Sequence, residues 1–244
     1  MGILNATPDS FSDGAKYRTA SDAIAQAELM IANGVDLIDI GGESTRPGAE
    51  PVSLQEELDR VLPVIESLKN CGVPLSIDTY KAETMRQALH TGANCVNDIW
   101  ALRQEGAIDA VLESSNCGVV LMHMQRDPQT MQFDPEYVDV ISEVSQFLNE
   151  RVALLIKSGI NQDRIAIDPG FGFGKSLEHN INMLAHFQSF TSAGFPVLAG
   201  ISRKSMLGKI TGKDSNDRVA SSIAAAIMAA DRGAQIIRVH DVPE

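Results

Sequence analysis

A helix-like stretch, a glycine and a short apolar run recur down this chain of 244 residues, and that repeat restricts its folds more than any other feature. The glycines are Gly34, Gly72, Gly92, Gly118, Gly159, Gly194 and Gly233. The runs behind them read VDLIDI, VPLSID, ANCVND, VVLMHM, RIAID, PVLAGIS and AQIIRVH. Glycine just past a helix end is the usual C-terminal cap. Near-continuous apolar runs are strands buried on both faces, as in a parallel sheet. MGILNAT at the start adds an eighth. Eight strands alternating with helices predict an α/β fold, a (β/α)8 TIM barrel, as a single domain over 1–244. A doubly wound open sheet is the alternative, but no dinucleotide fingerprint accompanies it. Ser21 is the expected cap of the first helix, and Ser53 with Glu56 forms the capping box of the second. RVHDVPE follows the last run directly, so no final helix is expected within these residues.

Residues 168–176 read DPGFGFGKS and end like a phosphate-binding P-loop. That motif requires glycine five positions before Gly174, where this chain has Pro169. The dinucleotide pattern fails as well, because Lys175 stands where its last glycine belongs. The stretch is therefore a strand-to-helix turn, with Lys175 solvated and a helix from about His179. What it does present is Asp168, a carboxylate at the end of a buried strand.

In such a barrel the active site lies at the C-terminal ends of the strands. Those ends carry Asn5, Asp39, Asp78, Asn97 with Asp98, His123, Asp168, then Ser202, Arg203 and Lys204, then Arg238, His240 and Asp241. Charges converging on one mouth cost desolvation unless they pair or bind something. Asp78, Asn97 and Asp168 offer acceptors and an amide, which suits a flat heterocycle with an aminopyrimidine edge. Arg238, His240, Thr45, Arg46 and Asn5 suit a phosphate or diphosphate, with Asn5 able to hold Mg²⁺ through oxygen. Lys204 has two readings, a Schiff-base nucleophile or a fixed donor. His123 reads as a satisfied core histidine, and no dense His/Asp cluster marks a metal site.

The net charge of −12 argues against nucleic acid or an anionic membrane as partner. No apolar run reaches the roughly 18 residues that span a bilayer. No signal peptide precedes the first strand, and the cysteine usage is that expected of a cytoplasmic protein. Cys71, Cys95 and Cys117 are read as reduced and buried.

Taken together, MGILNATPDSFSDG, DIGGESTRPGA, SIDT, VNDI, LMHMQ, DPGFGFGK, SRKS and RVHDV resemble the dihydropteroate synthases, a family of pterin-binding barrels. The resemblance runs from Met1 to Glu244 in order. Its departures are Ala6 for a branched aliphatic, Ala15 for a glycine, and the absence of the family's N-terminal hairpin and final helix. It implies condensation of 6-hydroxymethyl-7,8-dihydropterin diphosphate with p-aminobenzoate, Mg²⁺ as cofactor and a homodimer. By motif, Asp78, Asn97, Met122, Asp168 and Lys204 hold the pterin. Asn5, Thr45, Arg46, Arg238 and His240 hold the diphosphate, and Asn5 its metal. Phe11, Thr45, Pro47, Phe173 and Ser205 line the p-aminobenzoate site. The chemistry falls to Arg238, His240, Lys204 and Asp78. A pterin-binding methyltransferase working with a corrinoid protein is the alternative, but it gives no reason for STRPG with Arg238 and His240.

Overall fold

The computed structural model describes every residue except 7–19, 46–48, 128, 129 and 132. Its strands are β1 (Gly2–Asn5), β2 (Ile38–Gly41), β3 (Leu75–Asp78), β4 (Cys95–Asp98), β5 (Gly118–Met122), β6 (Ile165–Asp168), β7 (Leu198–Ala199) and β8 (Ile236–Ile237). Each coincides with an apolar run read from the sequence, β2 extending one residue past its run at Gly41 and β5 starting one before its run at Gly118. Between them lie α1 (Ala20–Ala32), α2 (Leu54–Leu68), α3 (Ala82–Thr91), α4 (Ala107–Leu112) and α5 (Val140–Lys157). After β6 come α6 (Leu177–Ala185) and α7 (Gln188–Thr191), and after β7 come α8 (Ser205–Thr211) and α9 (Val219–Asp231).

Strands β1 to β6 pair in parallel in chain order, and β7 pairs with β8. Single parallel bridges, Ile167 to Val197 and Gly2 to Val239, join the two sheets. The Ile167 amide donates to Pro196 O at 2.9 Å and the Ile3 amide to Val239 O at 2.8 Å. The strands therefore run round and return to β1, closing the barrel. Residues 240–244 after β8 form no helix, and Ile236 and Ile237 stay only half-buried, as the sequence led us to expect.

Strand alternation divides the core. Ile38, Ile40, Leu75, Ile77, Val96, Val119, Leu121, Ile165 and Ile167 pack outward with the helices into one continuous cluster. Val120, Ala166 and Leu198, with Met1, form a small separate cluster inside the ring. The alternate positions one step along those strands are Asp78, Asn97, Met122 and Asp168. A period of two therefore delivers the polar residues to one lumen.

The terminators are largely as read. Gly34, Gly72, Gly92, Gly159, Gly194 and Gly233 all have positive φ. Gly118 does not; it opens β5 instead of closing a helix. Ser21 lies inside α1, which already begins at Ala20, so it is no cap. Ser53 caps α2 by accepting from the Glu56 amide at 3.2 Å. The reciprocal half of that box is missing, since the Glu56 carboxylate turns to Arg60. The complete box sits at Ser176 and His179, which start α6 two residues earlier than the sequence suggested. Ser176 of the Gly-Lys-Ser string is thus a helix cap. All three cysteines are free, but only Cys117 is fully buried, because Cys71 and Cys95 lie at partly open positions. Among the described residues, no helix is long and apolar enough to cross a membrane.

Candidate active site

One face of the lumen is organised around Asp39, which is wholly buried. Its Oδ2 accepts from Asn97 Nδ2 at 2.9 Å and from Arg238 Nε at 2.6 Å. Arg238 Nη2 donates to Asp78 Oδ2 at 2.6 Å. The guanidinium thus bridges the ends of β2 and β3 from just beyond β8. Burial would lower its pKa, but Asp39 and Asp78 outweigh that and hold it above the usual value. Burial pushes Asp78 up to about 7, against the pull of Arg238. Asn5, Gly41, Asp78 and Asn97 are register partners across β1 to β4. Gly41 keeps that row open, because a Cβ there would stand 3.6 Å from Asp78 Cβ and 3.9 Å from Asn5 Oδ1.

The opposite face is built by β6, β7 and the turn after β6. Asp168, register partner of Met122, is buried, and its Oδ1 accepts from the Gly170 amide at 2.7 Å. Burial raises its pKa, with Lys204 opposing. Lys204 Nζ donates to Phe171 O and lies 4.5 Å over the Phe173 ring. Burial brings Lys204 down to about 8, with Asp168 opposing. Met122 packs with Ile99, Met124 and Met131 against Tyr80, Trp100 and Phe173, an apolar wall beside the charges. The arrangement is a slot with carboxylates and an amide at one level, cations beside them and a hydrophobic flank. That is a receptor for a flat, N–H-rich ring carrying an anionic arm.

The remaining expected residues are placed as follows. His240 leans on Ser202, its Nδ1 3.0 Å from Ser202 Oγ. Arg203, at φ +56°, turns away from Lys204 and pairs with Asp241, so these two stabilise the rim and leave the mouth to their neighbours. Ser205 is exposed at the first turn of α8, and Phe173 and Thr45 are half-buried. Phe11, Arg46 and Pro47 lie outside the described residues. Below the start of the β2–α2 loop, Lys81 binds Glu43 and buried Glu57, and Tyr80 donates to Glu43 at 2.8 Å. A cleft of about 520 Å³ lies elsewhere, between Leu102–Asp109 and Arg151, and takes in none of the strand-end residues named above.

Two features escaped the sequence reading. Asp39 was seen only as a strand end, although it holds both Asn97 and Arg238. Lys175 was expected in solvent and is instead buried, its Nζ 2.9 Å from His123 Nδ1 and from Phe173 O. Left-handed glycines turn the chain inward just before it. The alternation GFGFG was the available signal.

Gly170 shows how tightly this turn is built. Its φ is +74°, and a Cβ would stand 1.9 Å from His123 O. Gly212 has φ +71° and nothing within 4 Å of such a Cβ. We expect Gly212→Ala to lose about 1 kcal/mol from the left-handed backbone alone. Gly170→Ala should lose about 2–3 kcal/mol, because the carbonyl must also move. Paired urea melts check this, and equal losses would mean that the turn yields freely.

Comparison with known proteins places these features in context. The family described as "Pterin binding enzyme" matches residues 1–240. The dihydropteroate synthase of Escherichia coli K12 is 48% identical over 245 residues, covering 100% of this chain and 86% of that protein. The crystal structure of Yersinia pestis dihydropteroate synthase in a sulfonamide drug complex superposes with a TM-score of 0.95 at 47% identity, covering 99% of this chain and 88% of that one. That of the Burkholderia cenocepacia enzyme complexed with 7,8-dihydropteroate gives 0.90 at 52% identity, covering 99% and 85%.

Proposed function

The chain belongs to the pterin-binding enzyme family, and from that premise we propose that its barrel mouth catalyses the dihydropteroate synthase reaction of folate biosynthesis. 6-Hydroxymethyl-7,8-dihydropterin diphosphate and p-aminobenzoate enter; 7,8-dihydropteroate and diphosphate leave. The observation that carries this reading is the lumen itself, where Asp78, Asn97 and Arg238 on one face meet Asp168 and Lys204 on the other. Relatives that superpose on the whole chain are crystallised with the product and with sulfonamides.

Each residue then has a task. Asp168 accepts N–H bonds from the aminopyrimidine edge, and Asn97 complements the same edge with its amide. Lys204 donates to a ring acceptor on the far side. Met122 packs on the ring face. Arg238, His240, Asn5, Thr45 and Arg46 surround the diphosphate, while Phe11, Pro47, Phe173 and Ser205 receive p-aminobenzoate. The methylene C–O bond breaks, and its electron pair leaves on the diphosphate oxygen. The Arg238 guanidinium and the His240 ring stabilise that developing charge as hydrogen-bond donors. The carbon left behind is conjugated with the pterin nitrogens, which supports a dissociative path without a covalent enzyme intermediate. Asp78 is the charge that steadies the cationic ring. The aniline nitrogen forms the new C–N bond and releases its proton to solvent.

The donor set fits Mg²⁺ in a limited way. Among the described residues no group of three or more His, Cys, Asp or Glu gathers. Asn5 offers one hard oxygen, which suits an ion that keeps waters and binds mainly through substrate phosphates. When bound, Mg²⁺ would neutralise the leaving group. We take the enzyme to work as one domain over 1–244, as a cytoplasmic homodimer. Exposed Ile181 on α6 and Ile227 and Met228 on α9 lie on helices that contact each other and give a dimer an apolar face.

The decisive assay is diphosphate release. It should require both the pterin diphosphate and p-aminobenzoate. Release that ignores p-aminobenzoate, or no release at all, removes this reading.

A further inference from the structure

The turn after β6 is the reverse of the phosphate loop it imitates. Phosphate loops aim backbone N–H groups at an anion. Here Gly170, Gly172 and Gly174 take φ of +74°, +79° and +62°, alternating with Phe171 and Phe173. The result is a pair of carbonyls aimed at lysine amines: Phe171 O accepts from Lys204, and Phe173 O accepts from Lys175 at 2.9 Å.

Lys175 is only 3% exposed and cannot reach a ligand in the slot directly. Its Nζ lies within reach of three acceptors, Phe173 O at 2.9 Å, His123 Nδ1 at 2.9 Å and His123 O at 3.4 Å, while burial lowers its pKa well below the usual lysine range, with Asp168 opposing. Burial drives the His123 pKa down to about 2, with Lys175 adding to the effect, so the ring is neutral and its Nδ1 lone pair accepts. The Phe147 ring packs edge-on against the imidazole, centroids 4.9 Å apart. Tyr137 ties the same turn down, donating to Gly174 O at 2.9 Å. Asn180 bonds both ends of it, accepting from the Gly172 amide at 2.7 Å and donating to Lys175 O at 3.3 Å.

We propose that Lys175, gripped by His123, is a positioning residue for the pterin site. It fixes the 170–174 turn, whose Phe171 carbonyl holds Lys204 and whose Gly170 amide holds Asp168. A methionine of similar length would leave Phe173 O and His123 Nδ1 buried without a donor, and the turn would relax toward water. The proposal rests on the pterin reading for its kinetic consequence but not for its structural one.

Two measurements test it. Hydrogen exchange of the empty protein should show the Gly170 and Gly172 amides losing protection in Lys175→Met, while amides in β2 and β3 keep theirs. Steady-state kinetics, run well below each variant's Tm, should show the KM for pterin diphosphate rising about tenfold with kcat within about threefold. A purely structural role would lower Tm and the active fraction without moving that KM. His123→Leu should follow Lys175→Met, and His123→Asn should recover most of the loss, because its Oδ1 can take the place of Nδ1. If Lys175→Met does not fold, the His123 pair gives the same comparison. Unchanged amide protection overturns the proposal whatever the enzyme does. Unchanged KM in variants of an active wild type overturns it without touching the assigned reaction, whereas an inactive wild type condemns only that assignment.

Discussion

Replacing Arg238 with methionine is expected to cost the fold about 3–5 kcal/mol and to abolish measurable turnover. Arg238 is the sole cation paired in the structure with either Asp39 or Asp78 among the described residues, at 2.6 Å to each. Asp39 is 0% exposed. Methionine keeps the aliphatic stem but leaves two carboxylates in one lumen, with Asn97 still donating to Asp39. A buried charge stripped of its partner loses far more than the pair contributes, since its desolvation is no longer offset. The double variant Asp39→Asn/Arg238→Met should recover part of the stability, because the amide at 39 no longer needs a counter-ion while Asp78 still lacks its own. It should recover no activity, because the leaving diphosphate still lacks its cation. Urea midpoints at constant m-value, with diphosphate release on the same samples, separate the two effects. A single variant within about 1 kcal/mol of wild type would mean that water reaches Asp39 and that the bridge organises nothing.

That bridge also marks the limit of what the chain discloses by itself. Most of the eight strands were legible because each is a short apolar run with a glycine-terminated helix before it, and burial on both faces marks a parallel sheet. The polar residues at their ends were legible because a parallel barrel collects all C-terminal ends at one mouth. The role of Asp39 as the holder of Arg238 was not, because its partner lies 199 positions away. Only closure of β8 onto β1 brings Arg238 over β2. Lys175 failed for a different reason. Glycine-rich turns are usually solvated, and the alternation GFGFG shows where the glycines stand but not the left-handed angles that turn this one inward. Phe11, Arg46 and Pro47 remain expectations of the sequence, since they lie outside the described residues.

Asp168→Asn should weaken pterin binding by roughly ten- to a hundredfold, the value of losing about 1.5–3 kcal/mol of charged hydrogen bonding. The carboxylate has one oxygen engaged by the Gly170 amide at 2.7 Å and another free to accept from the ring edge. An amide oriented to keep the Gly170 bond turns its NH2 toward the ligand, so donor faces donor. The pH dependence gives an independent sign. Burial raises the Asp168 pKa in the empty site, so between the unfolded value near 4 and the raised one the native state holds the extra proton. Stability of the empty protein must then fall as pH rises through that window, because the unfolded state binds fewer protons there. Pterin binding runs the other way: the ring's N–H groups need the ionised carboxylate, so affinity should rise as the proton leaves. Asp78, pushed up to about 7, contributes in the same direction. Calorimetric titrations of a diphosphate-free pterin from about pH 5.5 to about pH 8.5 should therefore show affinity climbing steeply in the wild type and less steeply in Asp168→Asn. Matching slopes in the two proteins would locate the titrating acceptor at Asp78 alone, and matching affinities would remove Asp168 from the site altogether.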